Sequence, residues 1–268
     1  MDTTYAPPVD QLLTLGDPDQ EERRDYLELG VGEEHIPDLI RMATDRELIE
    51  ADYETAEYYA PMHAWYALGQ LRAEAAIEPL VSRFDEAGES EWVAEDLPKV
   101  FAMIGPAAIP ALSRYLQDRS QPRWPRMTAA TSLKNIARDH PETRGEVVAA
   151  LVEQLDRHAE EEGEFNAFLL GELLEMKATE AAPAIERAFA AGSVDESISG
   201  DWEDAQVELG LLEERVTPRP RYNHFTSLRP PPAPEPPVRS HQAAKKKART
   251  KAKKKMAKQS RKQNRKRR

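Results

Sequence analysis

Enzymatic chemistry needs groups that move protons, attack or hold metals, and this 268-residue chain offers few arranged to do so. It has no cysteine, which excludes disulfides, iron–sulfur clusters, and any zinc site or nucleophile that needs a thiolate. Its six histidines, His35, His63, His140, His158, His224 and His241, are scattered, with no i, i+4 pair and no HExxH. The acid runs Glu160-Glu161-Glu162 and Asp85-Glu86 lack the alternating oxygen ligands of a calcium loop, so solvated helix faces are expected. No glycine-rich phosphate loop, nucleophile elbow or kinase signature occurs. The expectation is a protein that is not an enzyme, with no catalytic residue, metal or cofactor.

Two other groupings carry binding chemistry. Tyr58, Tyr59, Trp65 and Tyr66 crowd around His63, a candidate protein-binding aromatic cluster. The plainer reading of the same run is aromatic core with His63 on the helix surface. The second grouping is basic: Lys245, Lys246, Lys247, Arg249, Lys251, Lys253, Lys254, Lys255, Lys258, Arg261, Lys262, Arg265, Lys266, Arg267 and Arg268. No acid interrupts them, so they are candidate polyanion ligands, for RNA, the ribosome or DNA. No aromatic is interleaved, so binding by charge is expected and base stacking is not.

The chain that positions these groups is divided by charge. Residues 216–268 hold 19 of the 37 basic residues and one of the 48 acids, a net of +18. Residues 1–215 keep 18 bases and 47 acids, a net of -29. The overall charge of -11 therefore averages an acidic body and a basic tail. Between them, Val216 to Ser240 contains eight prolines and reads as a semi-extended linker. The expected organisation is a partly disordered lead-in over 1–19, an acidic body over 20–215, a Pro-rich linker over 216–240 and a disordered tail over 241–268.

No run approaches the roughly 20 apolar residues that span a bilayer. Met1 to Asp10 lacks the basic and apolar regions of a signal peptide. A cytoplasmic location is expected, or a nuclear one in a eukaryote, with no membrane partner.

Within the body one pattern recurs: an apolar helix, a short turn, then Ile or Ala near proline opening a second amphipathic run. Its copies include Leu29 to Leu39, Ala67 to Leu80 and Phe101 to Leu112, with weaker ones at Ile136 to Leu151 and Leu173 to Ile185. Taking Ile36, Ile77, Ile109, Val148 and Ala182 as equivalent gives steps of 41, 32, 39 and 34 residues. Three anchors precede proline directly, at Pro37, Pro110 and Pro183, where a missing N–H costs a helix nothing. Leu97, Val100, Phe101 and Ile104 share one helical face, as do Met127, Ala130, Leu133, Ile136 and Ala137. The spacing predicts an all-α body. An extra helical stretch is expected over Asp45 to Tyr59, a polar loop over Asp118 to Pro125 and a long acidic loop over 192–201.

These copies resemble HEAT-like repeats of the short kind first named from phycobilisome lyases, over roughly residues 20–212. The resemblance implies an α-solenoid of about five HEAT-like helix pairs, followed here by the Pro-rich linker and basic tail. The segment Tyr58 to Gly69 also resembles a bacterial HEAT-like family of unknown function whose members often end in a SEC-C zinc motif. A chain without cysteine cannot carry that motif. The repeat implies a fold and not a function, and the acidic body joined to a basic tail leads to the expectation of a non-enzymatic scaffold or adaptor. Its acidic solenoid would bind a partner with a basic or apolar surface, and its tail would bind a polyanion. The lyase likeness implies one alternative, a bilin-lyase-like enzyme or chaperone subunit, although no lyase catalytic residue matches a position here.

Overall fold

Apolar residues at helical spacing, with proline confined to first turns, give a computed structural model built of helices. It describes residues 4–18, 24–88 and 90–220, and among these no residue is in a strand. The helices in order are α1 (Ile36–Ala43), α2 (Arg46–Ile49), α3 (Ala60–Gln70), α4 (Ile77–Val81), α5 (Glu91–Glu95), α6 (Leu97–Ile104) and α7 (Ile109–Gln117). After them come α8 (Arg123–Asp139), α9 (Arg144–Leu155), α10 (Gly163–Glu175), α11 (Ala182–Ala190), α12 (Glu196–Ser199) and α13 (Trp202–Leu209). None of the described helices is long and apolar enough to cross a membrane.

Neighbours follow chain order in two rows. Helices α3, α6, α8 and α10 touch in succession, with α1 against α3, while α4, α7, α9 and α11 touch in succession beside them. The predicted stripes face inward: Leu97, Val100, Phe101 and Ile104 are buried, as are Met127, Ala130, Leu133, Ile136 and Ala137. One contiguous apolar core runs from Tyr5 to Leu209. Each helix pair alone would leave an apolar face in water, so neighbours stabilise one another by burying it.

The joint between paired helices is the same five times. A three-residue 3-10 turn, Glu33–His35, Glu74–Ala76, Pro106–Ala108, Pro141–Thr143 or Thr179–Ala181, leads into α1, α4, α7, α9 or α11. The helices open at Ile36, Ile77, Ile109, Arg144 and Ala182, in steps of 41, 32, 35 and 38 residues. Four of the sequence anchors are thus in register. The fourth is not: Arg144 opens α9, and Val148 lies a turn inside it.

Two joints use a left-handed residue to leave the first helix. Arg72 (φ 50°) and Lys177 (φ 53°) follow α3 and α10. Beyond them the amides of Ala73 and Ala178 reach back to the carbonyls of Leu68 and Leu173, each at 3.0 Å. This terminal motif satisfies carbonyls the helix leaves open, and glycine would adopt it with less strain. At the α6 joint the residue is Gly105 (φ 97°), whose Cβ, if present, would lie 3.2 Å from the His140 ring.

Several expected stretches differ. Asp45 to Tyr59 is not one helix. Asp45 caps the short α2 through the Glu47 amide, Asp52 accepts from the Glu54 amide, and a 3-10 turn follows at Ala56–Tyr59. Short Asp side chains compete with helix by bonding nearby amides. The 192–201 loop contains α12, capped by Asp195, and Arg123 already begins α8. Residues 4–18, read as lead-in, place Tyr5, Val9 and Leu12 in the core. Beyond residue 215 the chain is still tied to the body. The Val216 amide donates to Glu203 at 2.8 Å, and Arg219 pairs with Asp204.

Candidate protein-binding surface

The four aromatics nominated by sequence separate. Trp65 is 2% exposed, and its indole N–H donates to the Ala43 carbonyl at 3.0 Å, joining α3 to the end of α1. It belongs to the core and is unavailable to a partner. His63 is also buried, contrary to its expected surface position. Its Nε2 contacts the Gly16 carbonyl at 2.8 Å, so this nitrogen carries the proton, and Nδ1 accepts from the Tyr26 hydroxyl at 2.8 Å. That geometry gives His63 a fixed tautomer that holds the N-terminal segment to α3.

Tyr58 and Tyr59 stay half-buried and gain a partner that sequence proximity did not reveal. Tyr59 packs edge-to-face on Tyr58, with ring centroids 5.1 Å apart, and on Trp92 of α5, at 6.1 Å. Burial raises the pKa of Tyr58. Burial, then the charge of Asp17, then Tyr58 raise that of Tyr59. Tyr66, one helix turn beyond His63, donates to Asp96 at 2.6 Å, and Lys99 pairs with the same carboxylate at 2.6 Å. The result is a shelf of Tyr58, Tyr59 and Trp92 with Tyr66 bonded to the next helix start. Glu57, Glu91 and Glu95, all exposed, stand beside these rings in sequence. Trp92 was missed because it lies 33 residues from Tyr59, beyond any local pattern.

The basic residues of the body are largely committed internally. Among the described residues, thirteen arginines and lysines up to Arg215 pair with carboxylates. Four arginines also stand over an aromatic ring. Arg41 lies 3.9 Å from the Tyr5 centroid and pairs with Asp38, and Arg83 lies 5.9 Å from Trp65 and pairs with Glu86. Arg123 lies 5.1 Å from Trp124 and pairs with Glu162 and Glu164, and Arg126 lies 4.3 Å from Phe165 and pairs with Glu161.

The Arg126–Glu161 pair is buried at 4% and 7% side-chain exposure. Arg126 holds both carboxylate oxygens, at 3.0 and 2.7 Å, and donates through Nε to the Leu116 carbonyl at 2.7 Å. Gln154 donates to the same carboxylate at 2.9 Å. Burial opposes the Glu161 charge, but Arg126, Gln154 and Arg119 outweigh it and hold its pKa below the usual range. The Glu160-Glu161-Glu162 run is therefore an anchoring site for Arg119, Arg123 and Arg126. Glu160 and Glu162 keep the solvent exposure expected from sequence, and Glu161 alone departs from it. Asp85 and Glu86 likewise engage Tyr115 and Arg83.

A cleft of about 360 Å³ lies among α8, α9 and α10, lined by Lys134, Asn135, Arg138, Arg144, Glu175 and Met176. Its cations are already matched: Lys134 by Glu172 and Glu175, Arg138 by Asp139, and Arg144 by Glu180. Burial works against the Lys134 charge, and the two glutamates reverse that, leaving its pKa raised. An anion entering here would have to break existing ion pairs. No cluster of three or more potential metal ligands exists among the described residues.

The fifteen candidate polyanion ligands from Lys245 to Arg268 lie outside the described residues, as do His224 and His241. A family model described as a protein of unknown function (DUF1186) matches residues 30–225. No curated protein matches the chain, and no solved structure does.

Proposed function

We propose that this chain, which belongs to the DUF1186 family, is a non-enzymatic scaffold or adaptor built as an α-solenoid of HEAT-like helix pairs. The repeated joint supports the solenoid reading: five helices open behind the same short turn, and their neighbours follow in chain order. In this reading the body binds a protein partner with a basic or apolar surface. The tail from Lys245 to Arg268 binds RNA, the ribosome or DNA by charge.

The observation carrying the proposal is the segregation of charge. Most bases of the body are spent on its own carboxylates, while 47 acids face 18 bases over residues 1–215. A net -29 repels phosphate at long range and attracts basic surfaces. The tail has the opposite balance, so one chain presents two surfaces that select opposite partners.

The test is affinity capture of the full chain with and without nuclease, alongside a full-chain variant whose fifteen tail bases are replaced by glutamine. Nuclease-sensitive partners should be lost with the tail charge, and nuclease-resistant protein partners should persist. Polyanion capture that is unaffected by neutralising the tail would refute the division of labour. A turnover reaction by the purified chain would refute the non-enzymatic reading.

A further inference from the structure

The cleft among α8, α9 and α10 lies where one helix pair meets the next, and its walls mix both signs of charge. Lys134, Asn135 and Arg138 come from α8, Arg144 from the start of α9, and Glu175 and Met176 from the end of α10. Asn135 is only 8% exposed, and its Oδ1 accepts from Arg138 Nη1 at 3.1 Å. That bond sets the orientation of the amide, because the reverse would turn two donors face to face. Its Nδ2 group is left with no acceptor among the described residues. Buried amide donors are seldom left so, and the space that Asn135 lines is the cleft.

Electrostatics narrow what could fill it. Lys134, Arg138 and Arg144 are matched by Glu172, Glu175, Asp139 and Glu180. A lone anion would compete with those carboxylates, and a lone cation would compete with the lysine and arginines. A zwitterion leaves the balance unchanged, since it brings one charge of each sign. Both of its ends find hydrogen-bonding capacity in the walls. Arg144 bonds Glu180 and the Met176 and Lys177 carbonyls, which uses three of the five donors of a guanidinium. The half-exposed Glu175 holds Lys134 through one oxygen, and a carboxylate offers about four lone-pair sites.

We propose that this cleft binds a free apolar α-amino acid. The ligand's carboxylate accepts from Asn135 Nδ2 and Arg144, its ammonium donates to Glu175, and its side chain lies against Ala137 and Met176. A volume of about 360 Å³ is at the small end of ligand sites and suits a molecule of this size. Touching α8, α9 and α10 at once, the amino acid braces two neighbouring helix pairs. It is separate from the protein and polyanion partners of the scaffold.

The test is titration of the isotope-labelled full chain with L-leucine, isocaproate and isoamylamine, the last two being leucine without its ammonium and without its carboxylate. Magnetic resonance would follow the Asn135 side-chain amide and the backbone amides of Arg144 and Met176. L-Leucine should shift them and saturate with a Kd of roughly 0.1–1 mM, as expected of so small a ligand. Each half-ligand should bind at least about tenfold more weakly, since one charge-assisted hydrogen bond contributes that factor. Asn135→Asp is isosteric, keeps an acceptor for Arg138 and replaces the open donor with a negative charge. It should lose leucine and isocaproate while binding isoamylamine at least as well as the wild type, a pattern that misfolding cannot produce. Arg144→Gln should weaken leucine about tenfold. No shift with leucine, equal affinities for leucine and isocaproate, or undiminished leucine binding by Asn135→Asp would overturn the proposal.

Discussion

A buried ion pair tells more about what its loss costs than about what it adds. Arg126 and Glu161 are nearly inaccessible, and each completes the other's hydrogen bonding. Glu161→Ala would leave a guanidinium buried without its carboxylate, a loss of about 3–5 kcal/mol. Chemical denaturation should show this as a lower midpoint, and a loss under about 1 kcal/mol would mean the pair is solvated in solution. The second residue-scale prediction concerns acid. Bonds from Arg215, together with the Asp204 and Glu203 amides, outweigh burial and depress Asp201 from its ordinary 3.8 to about 2. A depressed carboxylate contributes stability above its unfolded pKa and loses it as pH falls through the folded value. The ion pair of Asp201 with Arg215, whose Nη2 donates to the carboxylate at 2.8 Å, should therefore loosen between about pH 4 and pH 2. Amide protection at Val216, Thr217 and Arg219, measured against the intrinsic exchange rate at each pH, should fall over that window, while Asp201→Asn should lower it already at neutral pH.

At the scale of the element, the joints decide stability. Arg72 is exposed and sits in the left-handed region after α3, where a side chain is strained and glycine is not. Arg72→Gly should stabilise the protein by about 0.5–1 kcal/mol, net of the entropy glycine adds to the unfolded chain. The check is a raised denaturation midpoint at constant m-value. Gly105→Ala should act in the opposite sense by about 1–2 kcal/mol, since it adds the same strain and crowds His140. The repeat was legible at this scale because the turn motif is local. Ile36, Ile77, Ile109 and Ala182 announce their helices through neighbouring small residues and proline. Val148 was misassigned because Arg144 carries no apolar mark, and what opens α9 is the turn at Pro141–Thr143. The Asp45 to Tyr59 stretch misled for a related reason: its apolar spacing is helical, but its aspartates cap and break.

For the whole molecule the governing quantity is where the charge is spent. If the tail neutralises phosphates, log affinity for RNA should fall linearly with log salt, with a slope of about -0.7 per phosphate for a single strand. Replacing Lys253, Lys254 and Lys255 with glutamine should reduce that slope by about two units, uniformly across sequences. An unchanged slope would place the contact elsewhere. The sequence alone determined what depends on composition and short spacing. It specified helices without thiol chemistry, a repeat with its turns, inward stripes such as Leu97 to Ile104, and the division of charge near residue 215. Only the tertiary structure decided which side chains meet across tens of residues. It buried Trp65 and His63, brought Trp92 to Tyr59, and turned the Glu160-Glu161-Glu162 run into an anchor for Arg126. The physical reason is range. Propensity, capping and periodicity act within a few residues, so they are written in the local sequence. Desolvation, ring packing and ion pairing depend on which surfaces the stacked helices bring together, and no window along the chain contains both partners.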